Sequence, residues 1–101
     1  MLINLKEENY EDLIKEGLVV VDFFATWCGP CKMIGPVLEE LSNELDIKVV
    51  KVDVDEHLEI AKNFAIMSVP TILIYKNNKI VDKLIGFMPK DELKEKIMKN
   101  L

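Results

Sequence analysis

The chain has 101 residues, half of them hydrophobic and 31% charged, with thirteen Lys and Arg against eighteen Asp and Glu for a net charge of −5. That is enough apolar matter for one domain with a core of its own, needing no disulfide staple or structural metal. The acidic balance excludes the basic face that binds nucleic acid or anionic membranes, and no apolar run approaches the roughly 20 residues of a bilayer span. The opening residues show no basic stretch followed by an apolar one. The expected location is therefore cytoplasmic, where thiols stay reduced.

In chain order, Leu2–Leu5 reads as a short opening strand and Lys6–Glu16 as a helix. That helix has Tyr10, Leu13 and Ile14 at helical spacing, and Gly17 is placed to stop it. Leu18–Ala25 is the nearly unbroken apolar run of a strand covered on both faces. Cys31–Leu45 is helical, with Ile34, Leu38, Leu41 and Leu45 down one side and Pro36 inside it, where neighbouring Gly35 eases a bend. Ile47–Val54 alternates as a strand, and Glu56–Ala65 is a short helix. Thr71–Tyr75 and Ile80–Ile85 are strands joined across Asn77-Asn78, residues that tolerate the left-handed backbone of a tight hairpin. Pro89 opens a last helix with Leu93 and Ile97 toward the core, acids at its positive end and lysines toward its negative end. The order β-α-β-α-β-α-β-β-α predicts an α/β fold over residues 1–101 as one domain. Helical crossovers make part of the sheet parallel and the hairpin adds an antiparallel pair, giving a mixed five-stranded sheet flanked by four helices.

The only cysteines are Cys28 and Cys31, within Thr26-Trp27-Cys28-Gly29-Pro30-Cys31-Lys32. Zinc is the competing use of such a pair, but a closed structural site takes four ligands and His57 is the one further candidate. A site within one monomer therefore comes up short, which leaves only a site shared between two chains, and His57 is read as a surface residue. The acidic cluster Asp53-Asp55-Glu56 lacks the spacing of a calcium loop, so no metal site is expected. A redox dithiol fits better. Cysteines three apart at a helix start share a face, at about the 5–6 Å separation that a disulfide prefers. Cys28 stands where strand gives way to helix, so free N–H groups and the helix dipole favour its thiolate. Cys31 lies nearly a turn inside and is expected to be the more shielded of the two.

Asp22 interrupts the apolar run on the face of Val20 and Phe24. A carboxylate covered there has a raised pKa and suits a proton acceptor for the inner thiol. Trp27, just before the turn, is expected to be a partly exposed lid beside Cys28. With Gly29, Pro30, Ile66, Met67, Gly86 and Phe87 it forms an apolar surface for flexible disulfide-bearing segments.

The run Val21-Asp22-Phe23-Phe24-Ala25-Thr26-Trp27-Cys28-Gly29-Pro30-Cys31-Lys32 resembles the active-site stretch of the thioredoxin family, and Met67-Ser68-Val69-Pro70-Thr71 and Ile85-Gly86 continue the likeness in order. The resemblance implies a protein-disulfide reductase and dithiol carrier. Cys28 attacks a client disulfide, Cys31 resolves the mixed disulfide, and Asp22 assists Cys31. It further implies that Lys51 pairs with Asp22 to tune its proton affinity. Pro70 is implied to be cis, leaving the Val69 backbone free for an incoming peptide, and Pro36 to shape a kinked helix. No cofactor is bound. Thioredoxin reductase is the implied partner, passing electrons from NADPH, alongside disulfide-containing client proteins, and the chain is expected to be a monomer. Phe24 and Thr26 depart from commoner family residues without touching the thiol chemistry. Two other readings stand beside this one: a binding or subunit module with incidental redox activity, and a disulfide isomerase or oxidase of the same fold. Gly29-Pro30 between the thiols is the pair of the reducing branch.

Overall fold

The computed structural model describes residues 1–101. Strands β1 (Leu2–Asn4), β2 (Leu18–Phe24), β3 (Lys48–Asp53), β4 (Thr71–Lys76) and β5 (Lys79–Ile85) form one sheet in the order β1-β3-β2-β4-β5. β3 runs parallel to both β1 and β2, while β4 runs antiparallel to β2 and β5. The helices are α1 (Tyr10–Leu13), α2 (Gly29–Glu44), α3 (Leu58–Asn63) and α4 (Lys90–Met98). The architecture is the α/β arrangement expected from the sequence.

Successive strand residues point to opposite faces, and both faces of β2 are buried, which explains its apolar run. On one face Val20, Val49, Ile72 and Ile74 pack under Ile34, Leu38 and Leu41 of α2 and Leu93 and Ile97 of α4. On the other, Val19, Val21, Phe23, Val50 and Val52 pack against Tyr10, Ile14, Ile60 of α3 and Phe64 just past its end. Asp22 lies on the α2 face of the most central strand.

The first helix is shorter than predicted. Instead of Lys6–Glu16 it spans a single turn, Tyr10–Leu13. Glu8 turns back to accept from the Lys6 N–H, Asn9 caps the helix by accepting from Asp12 N–H, and the chain leaves after Ile14 into Gly17 at φ +70°. The apolar residues at helical spacing are there to deliver Tyr10 and Ile14 to the core, and one turn suffices. Tyr10 and Tyr75 then share a buried hydroxyl hydrogen bond of 2.9 Å. The second helix begins two residues earlier than predicted, with Pro30 in its first turn, and runs unbroken through Pro36. The hairpin turn is as expected, with Asn77 and Asn78 at φ 48° and 71°.

Candidate active site

The strand ends carrying the motifs meet at one rim of the sheet. β2 and β3 finish there and β4 starts there, and the Val54 N–H donating to Phe24 O (2.9 Å) ties the two exits together. The chain turns through Thr26 and Trp27 so that Cys28 becomes the N-cap of α2. Cys28 and Cys31 are joined as a disulfide with their Cα atoms 5.3 Å apart. The Cys31 N–H donates to Cys28 Sγ at 3.2 Å, so an otherwise orphaned helix donor is aimed at the sulfur that must carry charge once the bridge opens.

The expected contrast in shielding is not present in this closed form, since Cys28 is 5% and Cys31 4% exposed. Bridging folds both sulfurs into the first turn of α2. What separates them is direction. Cys28 Sγ faces the Val69 carbonyl oxygen at 3.7 Å, whereas Cys31 borders two clefts, of about 360 and 250 Å³, which it shares with Lys32 and Lys51.

The Val69–Pro70 peptide is cis, as the resemblance implied. No backbone group takes the Val69 N–H or C=O, although Pro70 O is taken by Gly86 N–H at 2.9 Å. Of the anticipated docking residues, Trp27, Ile66, Met67 and Val69 line one apolar groove together with Val54 and Ser68. Gly29 and Pro30 are exposed at the start of α2, while Gly86 is tied to Pro70 by its N–H and Phe87 is exposed next to it. Trp27 is more exposed than a partial lid, at 70%, because its indole N–H reaches out to Asp55 Oδ2 at 3.0 Å. Asp55, read from sequence only as part of an acidic cluster, is thus an anchor of the site. A contact across 28 residues leaves no local pattern to find it by.

Asp22 is fully buried and neither carboxylate oxygen has a hydrogen-bond partner. Burial pushes its carboxyl up to about 6 from 3.8, with the charge of Lys51 pulling the other way. Lys51 is its register neighbour on β3, yet the two close no ion pair. Its ammonium instead lies over the Phe24 ring, 4.5 Å from the centroid. His57 is also not simply a surface residue. It precedes α3 half-buried, with Nε2 2.9 Å from Leu5 O. No cluster of three or more His, Cys, Asp or Glu side chains converges on a point where a metal ion would be held.

A reversible bridge at a helix N-terminus with a peptide edge left open beside it defines a thiol–disulfide oxidoreductase, and the strand leading into it carries a buried, unpartnered carboxyl. The family model for thioredoxin matches residues 1–99. Curated relatives named thioredoxin include those of Staphylococcus saprophyticus, 48% identical over 99% of this chain and 98% of its own, and of Listeria monocytogenes, 48% identical over 98% of each. The relative from Bacillus subtilis is 44% identical over 99% of this chain and 98% of its own. Among solved structures, a mutant thioredoxin from Halobacterium salinarum superposes with a TM-score of 0.92 at 32% identity, covering 98% of this chain and 89% of that one. The chain belongs to the thioredoxin family, and its redox centre is the Cys28–Cys31 pair.

Proposed function

We propose that the chain, acting as one domain, is a general protein-disulfide reductase working by a two-step exchange at Cys28 and Cys31. The observation that carries this reading is the bridge itself, placed at the first turn of α2 directly beside the unpaired Val69 backbone. A client segment laid along Val69 pairs as an added strand and brings its disulfide to Cys28 Sγ. The Cys28 thiolate attacks one client sulfur, forms a mixed disulfide and expels the other as a thiolate. Cys31 then gives its proton to Asp22 and attacks Cys28 Sγ, releasing the second client thiol. The client gains two electrons, and the chain is left with the bridge closed. Lys51 tunes how readily Asp22 takes the proton, and Trp27, Gly29, Pro30, Ile66, Met67 and Gly86 form the surface around the client. Thioredoxin reductase restores the dithiol with electrons from NADPH, the chain works as a monomer, and the cycle runs in the cytoplasm. No helix is long and apolar enough to cross a membrane, which is compatible with that placement.

The test is turnover of a protein disulfide by the wild type, Cys31→Ser and Cys28→Ser. Wild type turns over, Cys31→Ser accumulates a mixed disulfide at Cys28, and Cys28→Ser is inactive. Full turnover by Cys31→Ser overturns the resolving role, and function retained by Cys28→Ser points to a binding module. The redox potential separates the remaining reading: the family value is about −270 mV, whereas about −120 mV marks an oxidant. Asp22→Ala slows resolution at neutral pH far more than capture, and equal rates from pH 6 to 9 would remove the proton-transfer role.

A further inference from the structure

Lys51 is a strongly hydrated, flexible cation at the end of a strand register that puts it beside an unpartnered buried carboxylate. Two easy resting places are open to it: contact with Asp22 or open water. It takes neither. Its Nζ lies over the face of Phe24, and a Cβ built on Gly35 would come within 3.3 Å of that same Nζ. Gly35 is buried in the middle of α2, where an Ala would be the better helix former, so the missing side chain leaves room rather than favouring the helix. The ammonium thereby stands between the two clefts that Cys31 borders. The other charged groups lining those clefts are Lys32 and Glu39 on α2, with Asp53 two residues further along β3, while β1 contributes only Leu2 and neutral Asn4. Asp53 is already engaged by the Asp55 N–H.

We propose that Phe24 and Gly35 are positioning residues for Lys51, the ring holding its ammonium and the bare backbone leaving it space, so that its charge acts on Asp22 and Cys31 without an ion pair closing. An ammonium in contact with Asp22 would hold that carboxylate ionised and spoil it as a proton acceptor. An ammonium lost to water would raise its proton affinity and leave a larger share of it protonated before Cys31 needs a base. The ring supplies an attractive surface at an intermediate distance. Phe24, which in the reading from sequence left the chemistry untouched, is in this account the platform that sets it.

This inference rests on the tuning role given to Lys51 above, and the experiment separates the two. The ¹³C chemical shift of the Asp22 carboxyl is titrated in the oxidised protein and in Lys51→Met, Phe24→Leu, Phe24→Tyr, Gly35→Ala and Phe24→Leu/Lys51→Met. Lys51→Met raises the midpoint by roughly half a pH unit. Phe24→Leu raises it in the same direction, Phe24→Tyr keeps the wild-type value, and Gly35→Ala gives a smaller rise. The double variant titrates like Lys51→Met alone, a coincidence that a merely structural loss at Phe24 would not produce. Should Phe24→Leu fail to fold, Gly35→Ala compared with and without Lys51→Met makes the same comparison. A midpoint unmoved or lowered in Phe24→Leu while Lys51→Met rises overturns the positioning role alone. A midpoint unmoved in Lys51→Met overturns the tuning role and the positioning role with it.

Discussion

Asp22 shows how a single residue can trade stability for chemistry. Its carboxyl is pushed up to about 6 by burial, against 3.8 for an exposed one. Between those values the folded chain holds a proton that the unfolded chain has released, so the resulting stability is complete below about pH 4 and is lost as the pH rises through about 6. Asp22→Asn keeps the shape and removes the titration. Guanidinium unfolding of the oxidised proteins from pH 3 to 9 should show the wild type losing stability relative to the variant across that window. At pH 8 the variant should be the more stable by up to about 3 kcal/mol, the equivalent of roughly two pH units. Parallel profiles for wild type and variant would mean that Asp22 is solvated after all. The same residue scale holds the details hidden from the sequence: the run of apolar neighbours announces that Asp22 is buried, but nothing in it says that Lys51 will rest on Phe24 or that Trp27 will bind Asp55.

At the scale of elements, the short α1 is held by what its side chains reach. Tyr10 donates or accepts across the buried hydroxyl pair with Tyr75, and its ring touches Phe23 and Phe64. Burial raises the pKa of both phenols, so each stays neutral. Tyr10→Phe leaves the Tyr75 hydroxyl buried without a partner, at a cost of about 1–3 kcal/mol. Removing both hydroxyls in Tyr10→Phe/Tyr75→Phe should cost clearly less than the two single changes together, as measured by chemical denaturation. Strict additivity would mean that the pair does not interact. In the β4–β5 hairpin, Asn78→Val forces a β-branched residue into the left-handed region and should destabilise by about 1–2 kcal/mol, while Asn78→Gly is tolerated. Strand and hairpin boundaries were readable to within a residue or so because alternation and turn chemistry are local. The first helix was overextended because Tyr10, Leu13 and Ile14 satisfy helical spacing whether or not the turns around them form.

At the scale of the whole molecule, the sheet gathers segments distant in sequence around one rim: the β2–α2 turn, the Met67–Pro70 loop and Gly86. Met67 is 91% exposed, so Met67→Glu should leave the fold intact. It should lower kcat/KM toward a protein disulfide by about tenfold, or roughly 1.4 kcal/mol, while sparing a small aromatic disulfide that needs no docking surface. Equal loss on both substrates would place Met67 outside the docking surface. From the sequence alone came the α/β order, the two sulfurs at a helix start and the covered carboxylate of the preceding strand, because periodicity, capping and burial of a run are properties of neighbouring residues. Only the folded chain decided that the bridged cysteines are equally buried and differ by what they face, that the Val69 backbone goes unpaired beside them, and that the Lys51 ammonium lies over the Phe24 ring. Those depend on which strands become neighbours and on where each side chain finds room, and neither quantity exists until the sheet has closed around its two cores.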